Sequence, residues 1–207
     1  MSIVCITRLV ANPGPFTVHF TGGSFAIPLH QFTLPGGSTF TGTIDRGGKV
    51  TVPGTGVSLA DIPFESREDS NGFVDVHVVG TASFTSTGVT GFLDPAPGTA
   101  TLTAGAYASV RLDATAQILG ATVSLYNGTC NFGSAASPLT LTLTTDPPGA
   151  LYSQATGAVT LSAAFDAPSL DGCNPAMPGA YAFLLNFLAG HDRLTLAGTT
   201  DPIIKAP

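Results

Sequence analysis

The chain has 207 residues, of which only seven are basic and thirteen are acidic, and its formal net charge is −6. This balance argues against nucleic acid as a partner, because the neutralisation of phosphates needs clustered Lys and Arg. The 43% of hydrophobic residues excludes a disordered composition, and the 25 glycines, 16 prolines and frequent Thr favour strands with an uncharged exposed face.

The N-terminal segment is apolar and ends at a chain breaker, 12–15, of sequence Asn-Pro-Gly-Pro. Its apolar residues predict a β-strand and are Ile3, Val4, Cys5, Ile6, Leu9 and Val10. Such a strand could be the first core strand of its own sheet, or it could detach and add to the sheet edge of a second copy. Residues 1–11 are therefore a candidate self-association strand. Because they lack the basic start of a secretory signal, we expect either that the protein is never exported or that a leader has been removed.

Alternation of apolar and polar residues predicts strands along most of the remaining chain, with Gly, Pro, Asn and Asp at the turns. The predicted strands lie within 16–20, 25–29, 40–44, 50–52, 74–85, 89–93, 102–117, 123–125, 139–143 and 159–163. We therefore predict an all-β fold, either an antiparallel β-sandwich or a closed barrel. Residues 1–207 are expected to form a single domain, with a weak seam possible near 118–130.

One segment, 178–189, has the spacing of a helix rather than that of a strand. Its apolar residues recur at i, i+3, i+4 and i+7 and are Tyr181, Leu184, Leu185 and Leu188. The segment predicts one short C-terminal helix, because Pro178 suits a first helical turn and Gly190 suits a C-terminal stop. A helix of about 12 residues is not stable alone, so we expect this stripe to be a lid over a sheet edge or a barrel end.

Motifs that carry catalysis or metal binding are absent from the sequence. The four histidines form no HExxH or HxH motif, and neither a GxSxG elbow nor a phosphate-binding loop followed by a helix is present. His77 beside Asp75, together with a serine elsewhere, could in principle build a triad, but a serine-rich β protein offers such trios by chance. We expect that the protein is not an enzyme and holds no metal or cofactor.

The chain has three cysteines, and none is spaced as CxxC, so zinc and thioredoxin-like sites are unsupported. Cys130 and Cys173 lie in turn-like settings, where a disulfide could join the start of one strand to the loop before the predicted helix. Disulfides are typical of oxidising compartments. Cys5 is the odd cysteine and is expected to be a buried thiol or, alternatively, an intermolecular link.

Several stretches of the chain together resemble the sequence pattern of a known group of proteins. They are the Cys-Asn-Phe-Gly sequence at 130–133, the Leu/Thr run at 138–145, the strand at 157–165, Cys173, the apolar helix, 194–196, and the hairpins at 41–53 and 90–103. In these the chain resembles uncharacterised secreted, Gly/Thr-rich all-β proteins of Actinobacteria. The resemblance implies export and a Cys130–Cys173 disulfide, and it carries no assigned activity. The chain departs from the pattern by its extra Cys5.

These observations predict a non-enzymatic extracellular or cell-surface structural protein that associates with copies of itself. An uncharged Thr/Gly/Ser surface can pack against another copy without burying charge. One alternative is a carrier that binds a small apolar, lipid-like ligand in a cavity of the barrel or sandwich. A second alternative is a membrane β-barrel pore, although the chain has no Trp for interfacial girdles. A transmembrane helix is not expected, because no run of about 18 apolar residues exists.

Overall fold

The computed structural model describes residues 9–27, 30–70, 74–145, 151–166, 171–173 and 191–207. Within these residues, twelve antiparallel strands and one 3-10 turn (Gly54–Gly56) make up the regular structure. The strands are β1 (Gly14–Ile27), β2 (His30–Leu34), β3 (Thr39–Ile44), β4 (Lys49–Pro53), β5 (Val57–Ser58), β6 (Ile62–Ser70), β7 (Val74–Asp94), β8 (Thr99–Ile118), β9 (Ala121–Phe132), β10 (Leu139–Thr144), β11 (Ala158–Asp166) and β12 (His191–Asp201).

The predicted all-β, antiparallel fold class is confirmed. The helix predicted at 178–189 lies outside the described residues. In the part of the chain that the structure describes, no helix is long and apolar enough to cross a membrane. Residues 118–130, where a seam was considered, hold the end of β8, a turn and most of β9, which pairs with β8.

The strands form where the sequence alternates. Strand β8 is the clearest case, because Ala100, Leu102 and Ala104 are buried while Thr101 and Thr103 between them are exposed. Successive side chains of a strand point to opposite faces, so a period of two gives one face to the core and the other to water. The same alternation of buried and exposed positions is found in β3 and β4.

Eight of the strands close into a ring, which we call the barrel end. Its order is β1–β12–β11–β10–β8–β7–β4–β3, and β3 pairs again with β1, from Thr39 opposite His19 to Ile44 opposite Gly14. Closure removes the sheet edges that the strands would otherwise expose. Of the two predicted alternatives, the closed barrel is therefore present at this end of the molecule.

The molecule opens into two layers beyond the ring, which we call the two-layer end. Strands β7 and β8 are 21 and 20 residues long, and their distal halves pair with β6 and β9 to form one layer. The other layer consists of β2, the second half of β1, β12 and β11. Phe25 and Phe32 of this second layer pack against the core cluster of the first, a cluster that includes Val110 and Leu112.

β-Bulges in β1 and β7 change which residues face inward. The register shifts between Phe20 and Gly22 in β1 and between Ser86 and Gly88 in β7. An extra residue in one strand moves every later side chain of that strand to the opposite face of the sheet. In β1 the inward-facing residues are therefore even-numbered up to Phe20 and odd-numbered from the bulge to Phe25. The Ser86 hydroxyl holds the second bulge, because it donates to the Gly105 carbonyl at 3.1 Å and accepts from the Gly88 amide at 3.1 Å.

Glycine allows the closest approach of strands inside the ring. A Cβ atom at Gly91 would overlap the carbonyl oxygen of Thr101, and one at Gly42 would overlap that of Thr51. Glycine within a strand often marks a tight bend at a barrel corner. These positions therefore accept no larger side chain without a shift of the neighbouring backbone.

Val10, Tyr152 and Ile204 lie outside the strands and complete the barrel core. The Val10 amide donates to the Arg46 carbonyl at 2.9 Å, and Val10 is only 2% exposed within the barrel core. The Tyr152 hydroxyl donates to the Ile204 carbonyl at 2.8 Å and accepts from the Ile204 amide at 2.6 Å. It also lies 3.1 Å from the hydroxyl of Thr200. Burial raises the pKa of Tyr152 above its ordinary value, and the hydrogen bonds to Thr200 and Ile204 oppose that shift.

Candidate ligand cavity

A cavity of about 130 Å³ lies where the barrel end meets the two-layer end. Its described walls come from residues of every strand except β4 and from the segments between β2 and β3 and between β5 and β6. Eight of the thirteen phenylalanines of the chain line it, namely Phe20, Phe25, Phe32, Phe40, Phe64, Phe84, Phe132 and Phe165. The cavity therefore has an aromatic wall.

The aromatic wall depends on the bulge in β1. The bulge turns Phe25 inward, where its ring stacks between Phe32, at a centroid distance of 6.4 Å, and Phe165, at 6.1 Å. Phe64 of β6 lies 5.6 Å from Phe32 in a tilted arrangement. All of these separations are within the 4.5–7 Å range of attractive ring pairs, and those of Phe25 are near its upper end.

Small residues on β7 and β8 leave the space that the aromatic rings surround. Ala82, Ala104 and Ala106 line the cavity at positions where a leucine or valine would fill it. In the strand register, Ala106 lies between Ser86 of β7 and Leu139 of β10. The volume of the cavity therefore follows from alanine at the centre of β8, with phenylalanine rings approaching from both layers.

Polar groups are scarce among the described lining residues, and they are Ser38, Ser86 and Asp192. The hydroxyl of Ser38 accepts from the Ala60 amide at 3.0 Å, and that of Ser86 holds the bulge in β7. Asp192 is 1% exposed and lies opposite Phe165 in the register of β11 and β12. Both hydroxyl groups are thus hydrogen-bonded within the protein, and apart from the Asp192 carboxyl group the described side chains of the wall are apolar.

The charged side chains that the sequence suggested for catalysis lie elsewhere. The Asp75 carboxylate forms an ion pair with Arg67 at 2.9 Å, and His77 Nε2 lies 2.7 Å from the Glu65 carboxylate. Asp75 therefore does not orient His77, and the triad considered from the sequence is not formed. Within the described ranges, no three His, Cys, Asp or Glu side chains are placed to hold a metal ion.

The predicted disulfide is present, with Cys130 bonded to Cys173 and 4.7 Å between their Cα atoms. A bridge between Asn131 and Asp171 supports it, with amide-to-carbonyl distances of 2.8 and 2.9 Å. Residues 171–173 are thus fixed to the end of β9 by a covalent bond and two hydrogen bonds. The disulfide is consistent with an extracellular protein.

The other predicted site residues have different outcomes. Val10 of the proposed self-association strand is buried in the chain's own barrel core, and Leu9 beside it is half-buried. The remaining members of that strand, Ile3, Val4, Cys5 and Ile6, lie outside the described residues, as do the lid-stripe residues Tyr181, Leu184, Leu185 and Leu188.

The sequence analysis considered a cavity for an apolar ligand but did not identify the phenylalanines that line it. Two features of the sequence could have indicated this lining. Phenylalanine is frequent between 16 and 40, and alanine recurs at even-numbered positions between 100 and 108. Comparison of the chain with family models, with curated proteins and with solved structures found no match in any of the three.

Proposed function

We propose that this protein is a non-enzymatic, extracellular binding protein that holds a small apolar ligand in the phenylalanine-lined cavity. The observation that carries the proposal is a cavity of about 130 Å³ whose hydroxyl groups are already engaged by the protein. An engineered apolar cavity of about 150 Å³ in another protein remains dry and binds benzene or xenon. A void of this size and composition is therefore suited to an apolar guest rather than to water.

The volume limits the size of the ligand. Drug-sized ligands occupy about 300–1,000 Å³, so this cavity suits a single six-membered ring or a short alkyl segment. The best very small ligands gain at most about 1.5 kcal/mol per non-hydrogen atom. For six such atoms the dissociation constant would be no lower than about 0.1–1 μM.

Titration calorimetry and NMR of the full-length, oxidised protein with benzene test the proposal. We expect saturable binding with one site per chain, and a melting temperature that rises with ligand concentration because the ligand binds only the folded state. Ala106→Leu should abolish this binding by filling the cavity. Ala121→Leu is a matched control, since Ala121 is exposed and is not among the lining residues. No saturable binding to the unmodified protein would refute the proposal.

A second proposal is self-association as a structural protein, and a row of threonines supports it. Five exposed threonines lie in consecutive register across β3, β4, β7, β8 and β10, namely Thr43, Thr51, Thr90, Thr103 and Thr142. The row is uncharged, so a second copy could cover it without burying charge. Light scattering over a concentration series should show association that Thr90→Asp weakens and Ala121→Asp does not. A monomer at all concentrations would overturn this second proposal.

A further inference from the structure

We infer that the cavity selects aromatic over saturated rings, an inference that rests on the proposed binding function and names its ligand class. Among the described lining residues, the phenylalanine rings approach the cavity from several strands at once. Aromatic rings carry a negative face and a positive edge, so they attract another aromatic ring beyond the effect of buried area alone. A saturated ring of the same size lacks this interaction.

The arrangement of the rings supplies both kinds of contact. Phe165, Phe25 and Phe32 form a nearly parallel series, with interplanar angles of 29° and 21° between neighbours. Phe64 is inclined to Phe32 by 60°, and Phe40 is inclined to Phe20 by 74°. A guest ring surrounded by such a set can stack on one phenylalanine and meet another edge to face.

The size of the preference follows from the number of ring pairs. One aromatic pair strengthens an interaction by roughly two- to twelvefold beyond its buried area. Two such pairs give a preference of roughly 5- to 150-fold for benzene over cyclohexane. The measured affinity of each probe is first divided by its transfer equilibrium from water to alkane, because cyclohexane is the more hydrophobic of the two.

The test compares benzene with cyclohexane on the full-length protein, by NMR titration and calorimetry. The expected result is a corrected preference for benzene of at least fivefold, with upfield shifts of the bound benzene protons that arise from the surrounding rings. Phe25→Leu should remove most of the preference, because Phe25 is the central ring of the stacked series. Phe16→Leu is the matched control, since Phe16 is buried in the barrel core and does not line the cavity.

Each outcome separates the inference from the function on which it rests. Equal corrected affinities for benzene and cyclohexane would overturn the aromatic preference and leave a cavity that binds apolar guests in general. Binding of neither probe would refute the proposed function, and the inference with it. An unchanged preference in Phe25→Leu would contradict the role of the stacked rings. The comparison on the unmodified protein remains decisive even if a variant does not fold.

Discussion

Replacing Ala106 by leucine adds a branched side chain at the centre of the cavity wall. Ala106 is 6% exposed and lies between Ser86 and Leu139 in the strand register. A leucine contains three more carbon atoms than an alanine, and these would extend into the void of about 130 Å³. The void is close to the volume of about 150 Å³ that a leucine-to-alanine change left in another protein core, so the added atoms should fit.

The expected effect on stability is positive. Burial contributes about 0.8 kcal/mol for each added carbon, which gives about 2.4 kcal/mol for three. The loss of leucine rotamer freedom subtracts about 0.5–1 kcal/mol, so we expect the free energy of unfolding to rise by about 1.5–2 kcal/mol. For a chain of this length, that corresponds to a melting temperature about 3–8 °C higher.

Urea denaturation of the oxidised protein, followed by circular dichroism, measures this change. Ala121→Leu adds the same atoms at an exposed position and should alter stability by less than about 0.5 kcal/mol. If the space at Ala106 were already filled, leucine would overpack the core and cost about 1–3 kcal/mol. A destabilised Ala106→Leu variant that still adopts the native fold would therefore refute both the cavity and the function proposed for it.

Three further predictions concern the framework of the fold. Replacing both Cys130 and Cys173 by serine should lower the free energy of unfolding by about 4 kcal/mol in the chain-entropy model, because the bond closes a separation of 43 residues; chemical denaturation of the variant measures this. Tyr152→Phe should cost about 1–3 kcal/mol, since it leaves the buried amide of Ile204 without its acceptor. Folding raises the pKa of Tyr152 above its ordinary value of 10.0. The contribution of its protonated hydroxyl to the free energy of unfolding should therefore be fully present below about pH 10 and be lost as the pH rises further. Melting curves between pH 8 and 11 should show a smaller alkaline loss in Tyr152→Phe. Gly91→Ala should destabilise the fold by about 1–3 kcal/mol, because the added Cβ overlaps a neighbouring strand, and an unchanged melting temperature would contradict that packing.

The sequence by itself predicted the class of fold and much of its local structure. Alternation in the region of β8 indicated which residues are buried, because the face of a side chain depends on its position within its own strand. Cys130 and Cys173 were identified from their turn-like settings and from the resemblance to secreted proteins, and the structure contains the bond between them. The alternation depends only on residues close together in the sequence. The disulfide depends on cysteine, a residue type that has few other structural roles in a secreted protein.

The barrel closure and the cavity were decided only by the tertiary structure. A strand pattern does not specify its neighbours, so the pairing of β1 with both β3 and β12 could not be read from the chain. The bulge after Phe20 reverses the faces of β1 and turns Phe25 inward, and a simple period of two has no signal for such a shift. The cavity then arises from alanines on β8 and phenylalanine rings from both layers, residues far apart in sequence that only long-range strand pairing brings together.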